Sequence, residues 1–177
     1  MSKQSSRIDL PSLVGNWGLV GDGSTVRFRA TVFWGLLKVK GKFNTMTGRG
    51  SIDSEGLIYG DLSIDASSID TGNVKRDTHL RSQDFFDVAQ NPAILFELER
   101  VRPSSEGLLL AGTLSILGNV HPVEVDAQLE EVNASELTIR STLELDRSRW
   151  GVDFKKKGMT KMATDLEISL HFIRVRS

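Results

Sequence analysis

The chain contains no cysteine, one tyrosine, four prolines and three histidines in 177 residues. The missing thiols exclude disulfides, thiolate nucleophiles and every zinc site that relies on sulfur. A zinc site would have to bring His79, His121 and His171, or carboxylates in place of one, together from distant segments, and His171 falls on the polar side of its strand. No metal and no cofactor are expected. An excess of charge of one sign is lacking too: 22 basic against 23 acidic residues leave a formal net charge of -1. No field of either sign is available to attract nucleic acid or an anionic membrane surface. Long apolar runs are absent, so no integral membrane insertion is expected. Met1 to Pro11 lacks the apolar stretch of about 7 to 15 residues that a secretory signal requires, so a cytoplasmic location is expected. Residues 1–12 are expected to form a flexible N-terminal segment and 13–177 a single domain.

What is present is alternation. Val26, Phe28, Ala30 and Val32 are apolar while Thr25, Arg27, Arg29 and Thr31 are polar, a period of two that continues toward Trp34 and marks a half-buried strand. In Lys38 to Phe43 three lysines point one way and Val39, Gly41 and Phe43 the other, where an inward glycine suggests a bend or space for something else. Similar runs carry Ile58, Leu62 and Ile64; Ile94, Phe96 and Leu98; Leu108, Leu110, Leu114 and Ile116. They continue with Val123 to Leu129, Leu137 to Leu145, and Leu166 to Phe172. With a short strand at Trp17 and Leu19, eight or nine strands are expected, joined by glycine-bearing turns such as Gly21 to Ser24 and Ser104 to Gly107. The class is all-β and mostly antiparallel. A sheet closed into a barrel is preferred, although a two-layer sandwich carries the same pattern.

Residues 68–92 break the rhythm, and a gap of that length is usually functional or locally structured. Asn73 is placed to cap a short helix running toward Leu80 or Phe86. The stretch combines Arg76, Asp77 and His79, a cation, a carboxylate and an imidazole within four residues. That set either orients a proton, binds a phosphate, or salt-bridges a capped loop. Phe85 and Phe86 follow, suited to core packing or to lining a barrel mouth. Ser148, His121 and Asp126 have no positioning context for a hydrolase triad. Lys155 to Lys157 after Arg147, Arg149 and Trp150 is either a basic patch near a pocket entrance or a solvated hairpin tip.

The string Thr71, Arg76-Asp77, His79-Leu80, Ser82, Asp84-Phe85-Phe86-Asp87, Pro92 and Phe96 resembles the signature of the bacterial YceI-like family of polyisoprenoid-binding, lipocalin-like proteins. Ser24, Val26 and Phe28, Gly41 with Phe43, Gly112 with Leu114 and Gly118, Val123, and Asp146-Arg147 ahead of Trp150-Gly151 add to the likeness, which spans about Trp17 to Phe172. Two family histidines are replaced, by Gly23 and near Val32.

The resemblance implies an eight-stranded antiparallel barrel, nine strands being the alternative count, with a helical or loop insertion around residues 68–92 and an elongated apolar channel. The expected ligand is an isoprenoid, such as an isoprenoid quinone, or another long-chain lipid, held by a non-enzymatic carrier, storage or sequestering protein. Phe28, Phe43, Ile64, Phe96, Leu114 and Leu143 are expected to line the channel. Arg76, Asp77 and His79 are expected to hold the lid segment or meet the ligand head, with Phe85 and Phe86 closing the channel. An enzyme using Asp77 and His79 as acid and base, and a ligand-free stress-related interaction protein, are the alternatives. A homodimer is left open.

Overall fold

The computed structural model describes residues 10–32, 37–105, 107–130, 132–152 and 163–176. The alternating runs become eleven strands of one sheet: β1 (Gly15–Leu19), β2 (Thr25–Val32), β3 (Leu37–Phe43), β4 (Met46–Ile52), β5 (Ile58–Asp65), β6 (Ile69–Asp70), β7 (Ala93–Pro103), β8 (Leu108–Ile116), β9 (Asn119–Glu130), β10 (Glu136–Asp146) and β11 (Ala163–Val175), with one helix, α1 (Val74–Arg81). Eight of them, β1, β4, β5 and β7 to β11, close into an antiparallel barrel, because β1 pairs with both β4 and β11. Strand β11 is 13 residues long. One of its edges pairs with β10; the other pairs with β1 at Phe172 to Val175 and with β2 at Thr164 to Ser169. From β2 the sheet continues through β3 to β6, whose Val26, Phe43 and Ile69 join the larger buried cluster at one end of the barrel.

Nine of the strands follow the apolar alternation; β4 and β6 do not announce themselves. The inner face of β4 reads Met46, Gly48, Gly50, Ile52, with both ends buried. Two glycines in the inward positions hide the period. Strand β6 has two residues, too short for any period. The expected turn at Ser104 and Gly107 is closed by a hydrogen bond from the Ser104 N–H to the Gly107 carbonyl of 3.0 Å. The inward glycine of β3 makes neither a bend nor a space: a Cβ on Gly41 would lie 2.4 Å from Phe28 Cζ, so the phenyl ring itself covers the glycine.

The core divides in two along the barrel axis. In the ladder between β10 and β11, Leu137 opposite Phe172 lies near one end and Leu145 opposite Thr164 near the other. At the first end Leu13, Trp17, Ile52, Leu137 and Phe172 form a buried plug. Arg174 ties it down by donating to the carbonyls of Ser12 and Val14 and by stacking its guanidinium 4.8 Å from the Trp17 ring centroid. At the other end a larger buried cluster includes Phe43, Ile64, Ile69, Ile94, Ile116 and Trp150. Other inward side chains are only half-buried: Leu62, Leu143 and Leu166 pack against the larger cluster, Leu19 and Leu170 touch both, and Leu98, Leu110 and Val125 belong to neither.

Candidate functional site

The interrupting segment folds as Asn73 dictates. Its side-chain oxygen accepts the Arg76 N–H at 2.9 Å and starts α1, eight residues long. Helix α1 offers the core a single apolar contact, the half-buried Leu80, and polar bonds do the rest of the holding. The Thr71 hydroxyl donates to the Asp77 carboxylate at 2.5 Å and accepts from Arg76 Nε at 2.7 Å, while the Thr71 N–H also reaches Asp77 at 3.0 Å. Asp77 is buried, and two donors from one residue satisfy it. Arg81 donates to the carbonyls of Ser67 and Ile69, both at 2.7 Å, pinning the helix over β6.

Arg76 and Asp77 therefore secure the turn that enters the helix. His79 lies apart from them, 3.3 Å from the Asp84 carboxylate and edge-on to the Phe85 ring, with centroids 5.1 Å apart. Its exposed side places this pair at the surface. Phe86 turns the other way. Its ring meets Phe43 edge to face at 6.0 Å, and Phe43 meets Phe28 at 5.8 Å, a chain of aromatics that runs from the segment into the barrel.

The residues expected to line a channel fall into two groups. Phe43 and Ile64 are buried within the larger plug. Phe28, Phe96, Leu114 and Leu143 are half-buried on the inward rows. Phe28 and Leu143 come together, with Gly41 and Leu166, at an open cavity of about 470 Å³ against β2, β3, β10 and β11, which also touches Arg29, Lys40, Glu144 and Asp165. The Phe96 ring lies over Gly112, where a Cβ would come within 3.0 Å of it.

Sequence reasoning quoted Trp150 without giving it a role; it has no exposed surface and donates its indole N–H to the Leu114 carbonyl at 2.8 Å. Its signal was the adjacent Asp146: that carboxylate accepts the Ser148 N–H and hydroxyl and opens the 3-10 turn that delivers the indole. The Ser148 hydroxyl is thus committed to Asp146, and His121 packs its ring 5.3 Å from Trp150. His171 sits beside the Thr138 hydroxyl at 3.3 Å. No cluster of metal-ligating side chains occurs among the described residues. Lys155 to Lys157 lie outside the described residues, and no described helix is long and apolar enough to cross a membrane.

A family model described as the YceI-like domain matches residues 17–173. The UPF0312 protein of Pseudomonas aeruginosa strain LESB58 is 33% identical over 91 residues, 50% of this chain and 48% of that one. The alignment thus spans about half the length of this relative. Among solved structures, Burkholderia cenocepacia BcnA superposes with a TM-score of 0.76 at 18% identity, covering 86% of this chain and 98% of that one. A polyisoprenoid binding domain from Saccharophagus degradans, described as implicated in plant cell wall breakdown, gives 0.72 at 14% identity over 90% and 98%. At these identities the likeness is one of fold.

Proposed function

The chain belongs to the YceI-like domain family, and on that premise we propose that it binds an isoprenoid or a similar long-chain amphiphile inside the barrel, as a carrier or sequestering protein. The observation that carries the reading is the set of inward apolar side chains on β7 to β9, Phe96, Leu98, Leu110 and Val125, that stay half-buried and join neither buried cluster. A core packed for its own sake leaves few voids, and these side chains keep surface that another apolar body can cover. The Saccharophagus degradans neighbour, described as a polyisoprenoid binding domain, supports the choice of ligand class.

Affinity follows from burial. At about 0.8 kcal/mol per methylene, about ten buried methylenes supply roughly 8 kcal/mol before ordering costs, which is the micromolar range. The walls present no charged side chain inward on the rows named, so an uncharged chain suits them best. Catalysis through Asp77 and His79 gains no support: Asp77 is engaged by Thr71, and His79 faces Asp84.

Organic extraction of protein purified from its native host, with mass spectrometry of the extract and native mass spectrometry of the intact protein, tests this directly. A stoichiometric long-chain lipid is the expected result. A protein that arrives empty and also fails to take up added retinol, a fluorescent isoprenoid alcohol, removes the reading in favour of a barrel that serves only as scaffold.

A further inference from the structure

Both ends of the barrel are plugged, so a ligand needs another way in, and one seam of the wall is paired over only part of its length. Strands β9 and β10 are 12 and 11 residues long, yet among the described residues their ladder holds only the pairs Thr138 with Glu130, Ile139 with Leu129 and Arg140 with Gln128. On its other edge β10 pairs with β11 all the way from Glu136 to Asp146. Continued register would give the Asp126 carbonyl to the Thr142 N–H. The Ser141 hydroxyl takes that same carbonyl at 2.6 Å, and no paired position follows it.

The sequence of β9 enforces the stop. Strands β8 and β9 join through a two-residue turn, Leu117 and Gly118, both at positive φ, so Ile116 and Asn119 form a hydrogen-bonded pair and the bonds alternate from it. By that alternation Pro122, opposite Thr113, turns its nitrogen away from β8 and toward β10. Proline has no N–H to give, and in sheets it is confined to edges that lack a partner. Beyond the gap, Trp150 reseals the wall: Asn119 donates to its carbonyl at 3.0 Å and its indole reaches β8.

We propose that the stretch between the Ser141 bond and Trp150 is a lateral portal through which the long-chain ligand enters and leaves the barrel; this rests on the binding function proposed above. Its lips are the apolar inward side chains of Val123, Val125 and Leu143, all half-buried. About four residues at about 3.3 Å each make this stretch on the order of 13 Å long, and a hydrocarbon chain passes sideways when the two strands part along it. The open cavity beside Phe28 reaches Thr142, Leu143 and Glu144, the β10 side of the same seam.

The chain has no cysteine, so a single engineered disulfide can close the seam without competing thiols. Continued register sets position 124 opposite 144, within the stretch itself, and the double variant Glu124→Cys, Glu144→Cys places the bridge there. Oxidation is expected to slow retinol entry, followed by stopped-flow fluorescence, by about tenfold or more, and reduction to restore it. Equal rates in the oxidised and reduced forms overturn the portal while leaving the binding function standing. Wild-type protein that takes up no retinol at all overturns the binding function and the portal with it. Amide exchange on the wild-type protein needs no variant. Glu124 and Thr142, whose N–H groups face the seam, are expected to exchange about a hundredfold faster than Val123 and Leu143, whose N–H groups face β8 and β11. Equal protection of the two sets means the wall is closed and overturns the portal.

Discussion

Single residues decide how the ends of this barrel stay shut. Trp150 is wholly buried, and its indole N–H meets the Leu114 carbonyl at 2.8 Å. Trp150→Ala is expected to cost about 3–5 kcal/mol in denaturant unfolding, the range for deleting a large buried aromatic. Asp77 poses a different case, because its partners are donors that would be stranded: Thr71 gives it both an N–H and a hydroxyl. Asp77→Ala is expected to cost about 1–3 kcal/mol for leaving those donors without an acceptor, read from the same unfolding midpoints. The motif that singled out Arg76, Asp77 and His79 was legible in the sequence, but its division of labour was not. Thr71 lies only a few residues from both Arg76 and Asp77, and spacing alone does not say that one hydroxyl links the two. The neighbouring His79 shows the same limit, since pairing with Asp84 depends on the turn that follows the helix.

Among the elements, α1 owes its existence to its cap and anchors, because an eight-residue helix is marginal in isolation. Asn73→Ala removes the acceptor of the Arg76 N–H and is expected to lower stability by about 1 kcal/mol, measured by thermal unfolding. The turn ahead of it carries a pH dependence. The Gly72 N–H, then the Asn44 side chain, then the charges of Lys42 and Arg81 hold the exposed Asp70 carboxyl below its ordinary value. A carboxyl depressed in the folded state stabilises above its unfolded pKa and loses that contribution as pH falls through its folded value. Asp70→Asn is therefore expected to give a shallower loss of stability on acidification than the wild type, tracked by circular dichroism from neutral pH downward. Asn73 and its helix were readable in advance because a cap is a local device. Strand β4 was not, because its inward positions Gly48 and Gly50 carry no side chain for a hydrophobic period to register.

Across the whole molecule those same glycines bear on function, since they thin the wall where β4 meets β5. Gly50 pairs with Gly60, and Gly60 with Leu98, so two of three neighbouring inward positions are empty of side chains. Crowding does not require glycine at Gly50: a Cβ there would sit 3.5 Å from the Tyr59 carbonyl and 3.9 Å from Trp17 Cβ, ordinary contact distances. Glycine inside a strand costs order and forgoes packing. On the binding function proposed above, its presence without steric need keeps room for a guest. Gly50→Val is accordingly expected to pull stability and binding in opposite directions. The branched side chain favours the strand and fills the space, so the melting temperature of the ligand-free protein should hold or rise. Retinol, which stabilises only by binding the folded state, should then raise it less in the variant than in the wild type at the same concentration. A barrel that merely packs itself gives another outcome: neither protein responds to retinol, and the valine changes the melting temperature alone.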